Sequence, residues 1–193
     1  KVVNFQNNFP APPALFVSSQ TTEEEDPVSI RNNGLTIAGM TLSLQEEASK
    51  DAETSHIDEI VGYLAIENMN SLRDEKGILA GEVGTATLND NWTTITLNNT
   101  YHNPVIVANS LSKVDGAPAT VRVRNIGLNS FEVHVEEWDY LDGTHSNETV
   151  SYIVIEGSIP LESPTYCDNG TDSLAVGVDF KAIDNCDVSV VIN

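Results

Sequence analysis

Residues 130–156 read SFEVHVEEWDYLDGTHSNETVSYIVIE. From Phe131 to Glu136 apolar and polar side chains alternate: Phe131, Val133 and Val135 fall on one face, Glu132, His134 and Glu136 on the other. A period of two is the mark of a half-buried strand. A polar loop, 139–148, follows. The run Val150-Ser-Tyr-Ile-Val-Ile155 is then apolar on both faces, as in a central strand covered on each side. The alternation recurs upstream, with Met40, Leu42 and Leu44 against Thr41, Ser43 and Gln45, and with Val121 and Val123 against Arg122 and Arg124. Asn-Gly, Asp-Gly and Pro separate the runs. Helical periodicity is absent apart from a single turn expected at Ser71–Lys76. These patterns predict an all-β chain of antiparallel β-sandwich modules.

The same stretch also exposes an internal repeat. NNFPAPPALFVSSQ, VSIRNNG, MTLSLQEE and SHIDEIVGYLAIE, between Asn7 and Glu67, align with NNTYHNPVIVANSL, VRVRNIG, FEVHVEEW and THSNETVSYIVIE, between Asn98 and Glu156. Arg31 falls on Arg122 and Met40 on Phe131 at an offset of ninety-one; His56 falls on His145, Glu59 on Glu148 and Tyr63 on Tyr152 at eighty-nine. A fixed period of this kind decides the architecture before any single motif does. The expected division is a first copy at 1–68, a linker at 69–77, a second copy at 78–158, and a linker with a partial β module at 159–193. The second copy opens with Gly81-Glu-Val-Gly-Thr-Ala-Thr-Leu88 and Trp92, for which the first copy has no counterpart. That strand is either cut away, or donated by another chain or a neighbouring repeat; an unpaired edge invites such addition.

Nine basic residues against twenty-nine acidic ones leave a formal charge of −20 over 193 residues. A field of this sign repels phosphate backbones and anionic headgroups, so neither nucleic acid nor a membrane surface is an expected partner. No apolar run is long enough to span a bilayer as a helix. Apolar residues make up 40% of the chain, enough for packed cores. Cys167 and Cys186 are the only cysteines and lack the paired spacing of a zinc site. They form one disulfide in an oxidising compartment or remain two free thiols. The expected location is extracellular or at the cell surface.

The order aromatic-x-x-P-V-I-V, V-R-V-x-N, F-x-V-x-V-x-x-W and Y-I-V-I-E, spread over Trp92–Glu156, resembles the H-type lectin domain, a six-stranded antiparallel sandwich. The resemblance implies a sugar site at Arg122, nine residues before Phe131, and at Trp138, seven residues after it. Asp139 stands where that family has a histidine, so its preference for N-acetylgalactosamine does not carry over. The first copy keeps Arg31 but has Glu47 in place of Trp138. The tail, with AIDNCDVSV, resembles an immunoglobulin-like module of large Bacteroidota surface proteins, and Asp172-Ser-Leu174 resembles a short O-glycosylation signal of that phylum.

Strand parity puts Trp138 on the face of Arg122, Arg124 and His134, where an indole can stack on a sugar ring while arginines donate to hydroxyls. The alternative is that Trp138 turns inward or packs on a neighbouring module. Arg122, Arg124, Trp138, Asp139 and His145 are therefore the candidate carbohydrate-binding residues. Asp139, Asp142 and Glu148 offer hard oxygens of the kind calcium takes, in a spacing that matches no EF-hand. His145 and His56 each stand near a glutamate, Glu148 and Glu59, a pairing suited to pinning a loop. Adjacent carboxylates at Glu46-Glu47 and Glu136-Glu137 point to opposite faces of a strand and cannot flank one bond. The nucleophile elbow, the H-E-x-x-H helix and the phosphate-binding glycine loop are absent. The sequence thus predicts a non-enzymatic segment of a cell-surface adhesin whose second copy binds glycans, or a structural stalk repeat whose partners are its neighbours.

Overall fold

In the computed structural model of the chain, residues 1–49, 54–157, 179–181 and 189–191 are described, and among them there is no helix. The first copy contributes β1 (Val2–Asn4), β2 (Ala14–Ser19), β3 (Val28–Asn33), β4 (Gly39–Glu46) and β5 (Val61–Ile66). Next come β6 (Met69–Arg73) and β7 (Leu79–Leu88), then β8 (Thr93–Thr96), β9 (Pro104–Ser112), β10 (Ala119–Arg124), β11 (Ser130–Glu137) and β12 (Glu148–Glu156). A hairpin of β13 (Asp179–Lys181) and β14 (Ser189–Val191) lies near the end of the chain. The all-β class read from the period-two alternation is the class that forms. Cys167, Cys186 and the Asp172-Ser-Leu174 segment lie outside the described residues.

The repeat is visible as strand pairing. In the first copy β4 lies between β1 and β3; in the second, β11 lies between β8 and β10. Registers agree residue for residue: Arg31 faces Ser43 as Arg122 faces His134, and Val3 faces Met40 as Ile95 faces Phe131. The other layer repeats too, for β2 pairs with β5 as β9 pairs with β12, with Leu15 opposite Ala65 and Ile106 opposite Val154. Inward side chains fill each sandwich. Phe131, Val133 and Val135 are buried with Leu88, Tyr101, Val150 and Val154 in one core, and Leu15, Val17, Met40 and Leu42 form the other. β12 is a central strand, flanked by β9 and β7, and its Ser151 is buried on the face away from Val150.

The two copies do not stand apart as beads. The front layer of the first joins the back layer of the second edge to edge, giving one seven-stranded sheet in the order β1-β4-β3-β9-β12-β7-β6. The seam is a short parallel pairing, Arg31 opposite Leu111 and Asn32 opposite Ser112. β2 crosses to the second copy as well, and its Leu15 amide donates to the Ser151 hydroxyl at 2.8 Å.

Segment 69–77 corrects the sequence expectation. Read as a linker with one helical turn, it instead holds β6, which pairs with β7 through Met69–Val83, Leu72–Gly81 and Arg73–Leu79. The ten-residue β7 has backbone groups along its outer edge that need partners, and β6 supplies them. β7 itself completes the second copy. Leu88 and Ala86 pack in that core, and the Tyr152 ring lies over Gly84. The first copy has no strand beyond β5 among the described residues. There Tyr63, the counterpart of Tyr152, is 46% exposed and borders a cleft of about 610 Å³ with Leu42, Leu44 and Val61.

Close approach of β7 and β12 depends on Gly81, where an added methyl would sit 2.1 Å from the Val154 carbonyl oxygen. Gly81→Ala is expected to destabilise the fold by about 1–3 kcal/mol. Gly116→Ala, in a loop with no atom within 4 Å, is expected to be near neutral. Urea unfolding monitored by far-ultraviolet circular dichroism checks the contrast.

Candidate functional site

A dense network of buried polar residues sits at the seam between the copies. β3 carries Arg31 across the boundary, where both it and Glu148 are wholly shielded from solvent and their side chains meet at 2.5 Å. The guanidinium spends every edge. Nε and Nη2 donate to the Ser112 carbonyl at 3.0 and 2.8 Å, and Nη1 to the Ala117 carbonyl at 2.9 Å and to Gln45 at 2.6 Å. Burial pushes its pKa below the ordinary arginine value, against the opposing pull of Glu148 and Asp115.

Glu148 is as fully engaged. Its oxygens accept from the amides of Val114 and Asp115 at 3.0 and 2.8 Å and from the Ser112 hydroxyl at 2.5 Å. His145, 2% exposed, approaches Glu148 at 3.3 Å through Nε2 and Glu137 at 2.9 Å through Nδ1. Asp115 closes the next turn by accepting from the amides of Ala117 and Ser146 at 3.0 and 2.9 Å. Those two hydrogen bonds, above all, hold its pKa down at about 2. Multiple hydrogen bonds are what make a buried pair tolerable, because each ion loses several kcal/mol of hydration on burial. Further contacts flank the pair. Asn32 donates to the Ser110 hydroxyl at 2.9 Å, with Ser110 held at a left-handed φ of 58° beside a bulge in the β9–β12 ladder. The Ala48 amide donates to the Tyr140 hydroxyl at 2.9 Å.

The residues expected to bind sugar are not assembled into one surface. His145 is buried in the ionic network. Trp138 lines a cleft of about 340 Å³ between the copies, with Val17 and Ile30 of the first and Ala108 and Val121 of the second. Its parity with Arg122 fails because β11 ends at Glu137 and the chain turns there. Arg122 is exposed and paired with Glu136. Arg124 bonds Glu132 at 2.6 Å and lies 3.8 Å over the Trp92 ring, which stacks on His134 at 3.8 Å. Asp139 stands exposed in the turn that follows Trp138.

The oxygens expected to take calcium are dispersed as well. Asp142 accepts the Thr144 amide at 2.9 Å in its own turn, and Glu148 is committed to Arg31, whose charge opposes a cation at that position. Among the described residues, the groups that do converge within 4.8 Å are Asp115, Glu137 and His145. Two carboxylates and a ring nitrogen, all hydrogen-bonded within the protein, do not match the six to eight oxygens calcium prefers.

Arg31 carries the junction, whereas the lectin resemblance marks it only as the counterpart of Arg122 in a copy with Glu47 in place of Trp138. A signal was present in the repeat: the cradle recurs as Thr21, Glu24 and Glu59 against Ser112, Asp115 and Glu148. Thr21 and Glu59 are hydrogen-bonded, the Glu23 amide donates to Glu59 at 2.8 Å, and the Ile57 amide donates to Glu24 at 2.7 Å.

No family model matches the chain, and no solved structure matches it. Among curated proteins it is similar to Halomucin of Haloquadratum walsbyi (strain DSM 16790 / HBSQ001), 28% identical over 174 residues, or 88% of this chain. The chain spans 2% of that protein's length. The similarity is compatible with an extracellular repeat segment of a very large protein, and it shows neither an H-type lectin nor a Bacteroidota source.

Two outcomes follow for stability. Arg31→Met leaves Glu148 buried without its cation and is expected to cost about 3–5 kcal/mol, whereas Arg122→Met at the equivalent exposed position is near neutral. Urea titrations of both variants test this. Because the folded pKa of Asp115 lies below its ordinary 3.8, its contribution is complete above pH 3.8 and is lost as pH falls through about 2. Asp115→Asn should therefore flatten the acid limb of the stability–pH curve over that window while leaving its shape near neutrality unchanged.

Proposed function

We propose that this chain is a non-enzymatic structural segment of a long extracellular repeat protein, a spacer whose copies are locked into a continuous sheet. The observation that carries this reading is the Arg31–Glu148 pair, in which the first copy's arginine is wholly buried in the second copy's loop. A residue that would serve a sugar in an independent lectin module serves the neighbouring copy here. The polar groups around this pair face inward at a seam, as a joint that transmits force or fixes an angle requires. Similarity to a 2% stretch of a very large protein fits a unit whose role is carried out in an array. The cleft beside Tyr63 fits the same account. In the second copy β7 fills that place, and a strand from a neighbouring repeat fills it in the first.

A net charge of −20 suits a surface held in solution at high salt, where the mutual repulsion of the carboxylates is screened. Stability is accordingly expected to rise with sodium chloride between low and molar concentrations.

Differential scanning calorimetry tests the reading. If the copies form one mechanical unit, residues 1–157 melt in a single transition with equal calorimetric and van't Hoff enthalpies, and Arg31→Met splits or broadens it. Two separated transitions in the unmodified chain would mean independent beads and would remove the spacer account.

A further inference from the structure

The seam inside this chain is asymmetric: the first copy presents β3 with Arg31, and the second presents the end of β9 with the Glu148 cradle. Both copies have both parts. One cradle and one arginine are therefore left over. The geometry assigns these two to each other: the exposed edge of β10 with Arg122 is the tail of a head-to-tail joint whose head is the Thr21–Glu59 cradle of another copy of this module. The assignment rests on the structural reading above and names the partner that reading requires.

The head is already shaped. Four of the hydrogen bonds that fix the Glu148 loop have counterparts in the first copy. Ser112 hydroxyl to Glu148 is matched by Thr21 hydroxyl to Glu59, and the Val114 amide by the Glu23 amide at 2.8 Å. The Thr149 amide donating to the Ser112 hydroxyl at 2.7 Å is matched by Ile60 donating to Thr21 at 2.9 Å. Ser146 to Asp115 is matched by Ile57 to Glu24. The cradles differ in what fills them. His145 and Glu148 are both buried, whereas Glu59 is only half-buried and its cradle is occupied by the chain's own His56, whose side chain is 3% exposed. At the filled joint the Ala117 carbonyl accepts from Arg31; at its counterpart the Asp26 carbonyl accepts from His56 Nε2 at 3.1 Å. The imidazole there holds the acceptor that a guanidinium holds across the seam.

The tail is shaped in the same way. β10 is an edge strand, bonded to β11 on one side only among the described residues, just as β3 would be without β9. Arg122 occupies the register of Arg31, opposite His134 where Arg31 is opposite Ser43. It is held ready by Glu136, whose position in the first copy is that of Gln45, itself a partner of Arg31. Val123 stands where Asn32 reaches Ser110, so the tail retains the arginine and gives up the amide contact. A heterologous interface of this kind does not close on itself, and repetition builds a filament rather than a ring.

Sedimentation velocity of the full chain in molar sodium chloride, where the −20 charge is screened, tests the assignment. Concentrations should reach about 1 mM, comparable to that imposed by a short linker between neighbouring repeats. Unmodified chain is expected to form a ladder of species growing with concentration. Arg122→Gln and Glu59→Gln should each weaken association at least about thirty-fold, the scale for removing one partner of a desolvated pair. Mixed together, the two variants should recover a one-to-one complex and nothing larger, because one supplies an intact head and the other an intact tail; recovery also shows that both are folded. A chain that stays monomeric at 1 mM, variants that associate like the unmodified chain, or a mixture that fails to pair would each overturn the assignment. The internal joint reports separately through its single melting transition, so loss of the intermolecular joint and loss of the spacer reading are told apart.

Discussion

A buried arginine must find an anion and enough acceptors, or the strand carrying it cannot be buried. Arg31 meets that demand only by reaching into the second copy, where Glu148 and the carbonyls of Ser112 and Ala117 stand together. The rest of the arrangement follows. β3 must lie alongside β9, so the front layer of one copy becomes continuous with the back layer of the next. β2 is then carried under the second sheet, where Leu15 covers Ser151. Apolar contact alone would tolerate sliding at such a seam. A planar guanidinium with five directed donors does not, so the pair acts chiefly as a register device.

The fold class was legible because strand periodicity is local. Phe131, Val133 and Val135 alternate with charged residues in any environment that buries one face, and the repeat added the order of the strands. The seam was not legible in the same way. Arg31 has the alternation of an outward residue, and parity within a strand does not reveal what lies beyond its edge. The same limit misplaced Trp138, which follows the last residue of β11 and escapes that strand's parity. Segment 69–77 lacked a period because β6 is short and its register is interrupted twice. Signals for the cradle were present in paired positions such as Thr21 and Ser112, but an individual hydroxyl or carboxylate in a loop has many uses. Only the geometry shows that these converge on one carboxylate.

The two copies share their strand order and registers. They differ in what the arginine does. In a free-standing module, an arginine on the outer face of the third strand meets solvent, as Arg122 does. When a second module abuts that edge, the same residue becomes the core of a joint, as Arg31 does. The copies in this chain thus show one side chain in both conditions, exposed in one and sealed in the other.

The central claim is that Arg31 and Glu148 stabilise the chain through each other rather than separately. A double-mutant cycle with Arg31→Met, Glu148→Gln and the combined variant, each unfolded in urea, measures that coupling directly. The account predicts a coupling of about 2 kcal/mol or more, with the combined variant recovering much of what Arg31→Met alone loses. Additive losses, agreeing within about 0.5 kcal/mol, would contradict it.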